Sequence, residues 1–316
     1  MRVSRFDAEL RRPSVVAFGV FDGLHRGHQA LVSEVVRRAR EADAAASIIT
    51  FDPHPALVLA PARAPLLIGT LDQRLEGLAF LGVEQVSVLA FDTVAASESA
   101  TSFIERVLVG QLGVVELVAG DDMRFGHNRE GDVALLEKEG VRLGFRVHVS
   151  PTYGGAQRFS STTVRAKVAE GAVVGAAEIL GRPFVVRGTV IHGDGRGREL
   201  GFATANLQVD ERQLLPAPGI YAAAVHLASG EWRCGAVSVG TRPQFYERGD
   251  LLVEVHLPHF EGDLYDQELD VAFLERLRDE AKFSSVEELT EQIDRDVATS
   301  EAIFHTFSPE ASLLLG

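Results

Sequence analysis

Residues 18–32 read FGVFDGLHRGHQALV. Just ahead of them, SVVAFGV (14–20) is an apolar run of strand character. From residue 29, QALVSEVVRRAREA places Leu31, Val32, Val35, Val36 and Ala39 on one helical stripe. A tight turn joins the two and carries His25 and His28. A strand, a turn and a helix in that order open a βαβ unit. In an open parallel sheet, ligands sit beyond the carboxyl ends of the strands. A helix beginning near His28 brings free N–H groups and the positive end of its dipole to that space, which suits phosphate. Gly19 and Gly23 let the backbone turn closely around a ligand, and two imidazoles can donate hydrogen bonds to phosphoryl oxygens.

The same grammar continues to about residue 180. AAASIITF, VEQVSVLAF, VVELVAG and FRVHVS read as strands. LDQRLEGLAFLG, TSFIERVLVGQLG and GDVALLEKEGVRLG read as helices between them. Alternation of this kind predicts a parallel sheet covered on both faces. Beyond GRPF (181–184) short strands dominate: FVVRGTVIHG, GIYAAAVHLA, EWRCGAVSVG, LLVEVHLPHF and QELDVAFLERL, an antiparallel barrel pattern. In SSVEELTEQIDRDVATSEAIF, Ser285 and Glu288 have capping-box spacing and predict a C-terminal helix. The expected architecture is α/β plus all-β. A Rossmann-like N-terminal domain spans 1–180, and an antiparallel β-barrel with a C-terminal helix spans 181–316.

Composition narrows the function classes. The 316 residues have a formal charge of −14, which argues against nucleic-acid binding. An anionic ligand then needs a local site of arginine and backbone N–H groups. A lone cysteine, Cys234, leaves no intrachain disulfide and fits a reducing compartment. No apolar signal core opens the chain and no apolar run approaches 18 residues, so a soluble cytoplasmic protein is expected, with no membrane partner. Oligomeric state is not legible.

Rival readings of the histidine turn fail on spacing. His-x-x-His is not the i, i+4 pair of a zinc metalloprotease, and no GxGxxG follows the strand. Alone, the pair would read as a surface loop with two histidines. In context, residues 19–28 (GVFDGLHRGH) closely resemble the FAD synthetase half of bacterial bifunctional riboflavin kinase/FMN adenylyltransferases, within the HxGH nucleotidyltransferase superfamily. TFDPHP (50–55), GDDMRFGHNREGD (120–132) and SSTTVR (160–165) are similar to further motifs of that family, in the same order.

The resemblance implies that His25 and His28 are catalytic, holding the ATP phosphates. It implies that Gly19, Phe21, Asp22, Gly23 and Gly27 line the nucleotide site with Ser160, Ser161, Thr162 and Arg165. Asp122 and Arg124 would lie near the flavin. Without it, the SST run reads as a plain N-cap, and Asp122 with Arg124 as a surface ion pair. Met123 stands where the family commonly has Phe, a loss of stacking. His54 and His127 read as structural or peripheral.

The second half holds VIHGDGRGRELGFATAN (190–206). A P-loop is excluded, since no GxxxxGK[ST] occurs. The chain has three lysines, Lys138, Lys167 and Lys282, so phosphoryl transfer must rest on metal, backbone and arginine. Alone, the glycines read as a hairpin loop. The stretch resembles the flavokinase motif GFPTAN. By that resemblance Gly193, Gly195, Gly197 and Gly201 wrap the nucleotide, Thr204 and Asn206 hold Mg²⁺ and phosphates, Glu254 is the catalytic base, and Arg278 lies in a segment closing over the flavin. Ala203, Gln244 and Asp266 depart from the family's Pro, Thr and Gly.

The expected activities are riboflavin phosphorylation to FMN and FMN adenylylation to FAD, with ATP and Mg²⁺. Three alternatives stand beside them: an FAD synthetase with a decayed kinase half, a non-catalytic flavin-binding regulatory protein, and an enzyme acting on a flavin analogue.

Overall fold

A computed structural model describes residues 1–4, 12–151, 159–193, 202–241 and 251–309. The chain divides into two compact units, 1–65 with 71–160, and 66–70 with 161–315.

The first unit is a six-stranded parallel sheet in the order β1-β4-β3-β2-β5-β6. Its strands are β1 (Arg2–Ser4), β2 (Ser14–Phe18), β3 (Ala45–Asp52), β4 (Gln85–Ala90), β5 (Val114–Gly120) and β6 (Arg146–Ser150). Strand β2 shows why the sheet is buried on both faces. Val15 and Ala17 join Ile48, Val86 and Val88 under α1 (Arg26–Glu41), which contributes Val32, Val35 and Val36. Val16 and Phe18 point the other way, to Ile49, Leu117, Phe103, Ile104 and Leu108. The strand order reverses at β2, which lies between β3 and β5. That reversal is the topological switch point, where an open α/β sheet leaves a crevice.

Three features differ from the expected string of elements. Residues 2–4 add the edge strand β1 beside β4, too short to carry a periodicity. Short helices α2 (Pro55–Leu59) and α4 (Thr93–Ser97) are added on either side of α3 (Leu71–Phe80), which forms where LDQRLEGLAFLG predicts it, and α5 (Ala100–Phe103) continues as a π-helix over Ile104–Gln111. After α6 (Val133–Leu143), the stretch TTVRAKVAEGAVVGAAEIL (162–180), which by its sequence reads as a single helix, lies in two, α7 (Ser161–Ala169) and α8 (Val173–Leu180), broken at Gly171 with φ +75°. These two helices group with the barrel rather than with the sheet. The Ala217 N–H donates to the Val168 carbonyl at 3.3 Å, and the Gly171 backbone abuts Arg276 and Tyr221.

The second unit is a closed antiparallel barrel in the order β10-β11-β8-β7-β12-β9. Its strands are β7 (Phe184–Ile191), β8 (Thr204–Val209), β9 (Gly219–His226), β10 (Trp232–Thr241), β11 (Leu251–His256) and β12 (Glu268–Arg278). On β11, Val253 and Val255 are buried while Leu252, Glu254 and His256 are partly exposed, the alternation of a barrel wall. Helix α9 (Val286–Phe304) packs on the outside, where Phe304 and Phe307 join Trp232 and Leu274 over Val185, Ala224 and Ala272. Ser285 caps it by accepting from the Glu288 N–H.

Candidate active sites

The first site is the crevice at the switch point, built from the loops that leave β2 and β5. After Phe18 the chain makes a tight turn in which Phe21 and Leu24 hold left-handed φ of 53° and 41°, strain typical of functional turns. Phe21, Asp22, Leu24 and His25 are buried there. His25 is the N-cap of α1: its Nδ1 accepts from the His28 backbone N–H at 3.3 Å. A capping Nδ1 needs its lone pair, so the neutral ring carries its proton on Nε2. The His28 ring stacks on that of His25, centroids 3.7 Å apart and 18° from parallel, and meets the Phe21 ring at 5.2 Å. His28 Nδ1 is buried with no hydrogen-bond partner among the described residues.

Burial lowers the His25 pKa to about 4. His28 is held well below the usual histidine range by burial first, then by the charges of His25 and Arg74. Both rings are therefore neutral at pH 7 and act as N–H donors. A Cβ on Gly27 would lie 3.2 Å from the His25 ring and 3.7 Å from the Phe159 Cβ, so the start of the SSTTVR segment runs past this turn. Ser160 follows Phe159. Ser161 opens α7, Thr162 is exposed, and Arg165 donates through Nε to the Leu66 carbonyl at 2.7 Å.

From the β5 side, Asp122 and Arg124 follow Gly120, and both are exposed. The Arg124 Nη1 donates to the Met123 carbonyl at 2.7 Å. Met123 packs with Phe125 against the cluster of Phe18 and Phe103, so the departure at 123 fills an apolar position. His54 caps α2 by accepting from the Ala56 N–H at 3.1 Å, and His127 Nδ1 lies 3.1 Å from the Ala96 carbonyl. Both fit their structural reading.

One group is absent from the expected set. Arg74 of α3 is 6% exposed. Its Nη1 donates to Thr50 Oγ1 at 3.0 Å and to the Phe51 carbonyl at 3.1 Å, while Thr50 Oγ1 donates to the Val20 carbonyl inside the turn. A signal existed in the sequence: Leu71, Arg74, Leu75 and Leu78 share one helical face, so a cation stands on an apolar stripe.

The second site lies on the outer wall of the barrel. Glu254 is in register with Asn206 on β8 and with Ser238 on β10, so all three lie on one face. Asn206 is 6% exposed, and its Oδ1 has no hydrogen-bond partner among the described residues. Gly193 packs directly on the Asn206 amide, where a side chain would collide. Thr204 stands exposed at the start of β8. An orphaned buried oxygen beside a hydroxyl and a carboxylate is the donor set a hard cation takes, so these residues fit a divalent metal.

Two of the three departures have a physical account. The Ala203 carbonyl accepts from His256 Nδ1 at 2.9 Å, which anchors the loop where proline is common. Asp266 holds φ +60°, a conformation that favours glycine and that Asp tolerates better than most residues. Its N–H donates to the Val190 carbonyl at 2.9 Å. Gly195, Gly197, Gly201 and Gln244 lie outside the described residues. Arg278 is engaged by α9: its guanidinium pairs with Asp296 at 2.6 Å, and Nη1 donates to the Asp279 carbonyl.

The FAD synthetase family model matches residues 7–163, and the riboflavin kinase family model matches residues 180–304. The chain belongs to the bifunctional riboflavin kinase/FMN adenylyltransferase family. The enzyme of that name from Pseudomonas fluorescens is 39% identical over 293 residues, covering 92% of this chain and 93% of its own. Its counterpart from Escherichia coli K12 is 39% identical over 297 residues, covering 93% and 94%. That from Listeria monocytogenes is 35% identical, covering 92% of each. A crystal structure described as a macrolide-efflux protein from Streptococcus pneumoniae shares the fold, with a TM-score of 0.86 at 30% identity over 98% of this chain and 100% of that one. Among the described residues no helix is long and apolar enough to cross a membrane. Both family domains are present, which favours the bifunctional reading over a decayed kinase or a non-catalytic flavin binder. The chain is a riboflavin kinase and an FMN adenylyltransferase.

Proposed function

We propose that the two activities divide between the two constellations. In residues 1–180, the FMN phosphate oxygen attacks the ATP α-phosphorus, the α–β bridging bond breaks, and FAD and pyrophosphate leave. His25 and His28 donate N–H hydrogen bonds to phosphoryl oxygens as charge grows on them, and the α1 N-terminus adds its dipole. Gly19, Phe21, Asp22, Gly23 and Gly27 shape the turn around the nucleotide. Ser160, Ser161, Thr162 and Arg165 serve the polyphosphate, and Asp122 and Arg124 the flavin. The observation that carries this reading is the stacked, neutral His25–His28 pair at a helix N-terminus beside the switch point.

In residues 181–316, the riboflavin 5′-hydroxyl attacks the ATP γ-phosphorus, giving FMN and ADP. Glu254 accepts the hydroxyl proton and orients the attack. Thr204 and Asn206 would hold Mg²⁺, which when bound neutralises charge on the phosphate oxygens. Gly193 keeps the chain close against Asn206, and Arg278 borders the flavin. A cytoplasmic setting is supported by the single cysteine, which leaves no intrachain disulfide and fits a reducing compartment.

The test is product analysis by chromatography with riboflavin or FMN, ATP and Mg²⁺. Wild type makes FMN and FAD from riboflavin, and FAD from FMN. His28→Ala should stop at FMN. Glu254→Gln should make FAD only from added FMN. Loss of both products in a folded His28→Ala protein would overturn the division.

A further inference from the structure

Arg74 is a guanidinium buried under the histidine turn, and nothing in the assigned chemistry uses it. It reaches from α3 to the carboxyl end of β3, where Nη1 holds both Thr50 Oγ1 and the Phe51 carbonyl. Thr50 passes the link to the Val20 carbonyl, three residues from Gly23 and five from His25. Its Nε is buried without a hydrogen-bond partner among the described residues. Burying a cation is costly unless charge of the opposite sign is near. Asp22 in the turn and Asp52 at the end of β3 supply that charge. A neutral side chain could bridge Thr50 and Phe51 without this cost, so the retained charge calls for a reason beyond packing.

We propose that Arg74 is a positioning residue for adenylyl transfer, its buried charge and its link through Thr50 to Val20 holding the His25–His28 pair stacked and neutral in the resting enzyme. The groups with charge or titration around the pair are Asp22 in its own turn, Arg74 from α3 and Asp52 from β3. Two stacked imidazoliums 3.7 Å apart would repel, and protonating His25 would break its cap on α1. Burial keeps both rings neutral in the first place, and the fixed cation of Arg74 adds to this at His28, which disfavours the doubly charged stack. Positive charge under the turn also matches the polyanion that arrives above it. This rests on the assignment of the crevice to adenylyl transfer.

The experiment compares Arg74→Lys with Arg74→Gln, which keeps a donor and drops the charge. The pH dependence of kcat/KM for FMN adenylylation reports free-enzyme ionisations, and long-range ¹H–¹⁵N NMR follows the His28 ring in the full chain. Loss of the cation should move the histidine ionisation up by about one unit in both measurements, while Arg74→Lys keeps the wild-type profile. Riboflavin phosphorylation should be unchanged in both variants. A profile for Arg74→Gln that parallels wild type, whatever its height, overturns the proposal. Should Arg74→Gln fail to fold, Arg74→Met, which fills the same apolar stripe without the charge, is read in the same way: an unmoved His28 ionisation overturns the proposal, and an upward shift supports it. His28→Ala separates the two layers. If that variant still makes FAD, the site assignment falls. If it is inactive and the Arg74→Gln profile has not moved, only the Arg74 proposal falls.

Discussion

His25 does two jobs with one ring. Its Nδ1 caps α1, and that bond leaves Nε2–H as the atom available to a phosphate. The cap requires a neutral imidazole, and burial lowers the ring's pKa to about 4. The unfolded chain protonates this histidine near pH 6.5, and the folded chain does not. The stability it contributes is therefore complete above pH 6.5 and is lost as pH falls toward 4. The slope is about 1.4 kcal/mol per pH unit and the total about 3 kcal/mol. Urea unfolding followed by circular dichroism at pH 7, 6 and 5 should show this loss in wild type. His25→Asn keeps a capping acceptor without a titrating ring, so its midpoint should fall less over the same range. Equal slopes in the two proteins would refute the assignment. At this scale the sequence was informative where chemistry and spacing coincide, as in the pair at 25 and 28. At Arg74 it offered only a cation on an apolar stripe, which reads as an ordinary helix charge until burial is known. It also suggested a loss at Met123, where the structure has a side chain packed on Phe18's cluster.

At the scale of elements, pattern carried most of the fold. The apolar strands of the first half alternate between two buried faces, and the barrel strands alternate between wall and core, so each type was legible from its own period. What escaped were elements set by tertiary partners. Strand β1 exists because β4 offers an edge, and α7 and α8 separate because Gly171 fits against Arg276 and Tyr221. Arg278 illustrates the same limit. Family resemblance put it in a segment closing over the flavin, while the structure adds a bidentate tie from the end of β12 to Asp296 on α9, with Gln292 also donating to Asp296. Asp296 is buried, so loosening this tie has a cost. Asp296→Asn should lower barrel stability by about 2 kcal/mol. Trp232 is the only tryptophan and packs against Phe307, just beyond α9, so its emission reports the event. An unchanged urea midpoint by Trp232 emission would show that the tie contributes nothing.

For the whole molecule, each unit has a core of its own, with the histidine turn built within the first and the Glu254–Asn206 face within the second. The Glu254–Asn206 face draws on no residue of the parallel sheet. The two chemistries should then fail independently, and FMN should be a true intermediate that leaves one site before it is used at the other. Mixing separates these ideas. His28→Ala protein supplies a working kinase and Glu254→Gln protein a working adenylyltransferase, and neither alone converts riboflavin to FAD. If FMN is released to solvent, an equimolar mixture of the two variants makes FAD from riboflavin after a lag in which FMN rises. The lag should vanish when FMN is supplied at the start, because only the second step then remains. A mixture that accumulates FMN but never makes FAD, while Glu254→Gln protein uses added FMN, would mean that the product stays bound to the kinase that formed it.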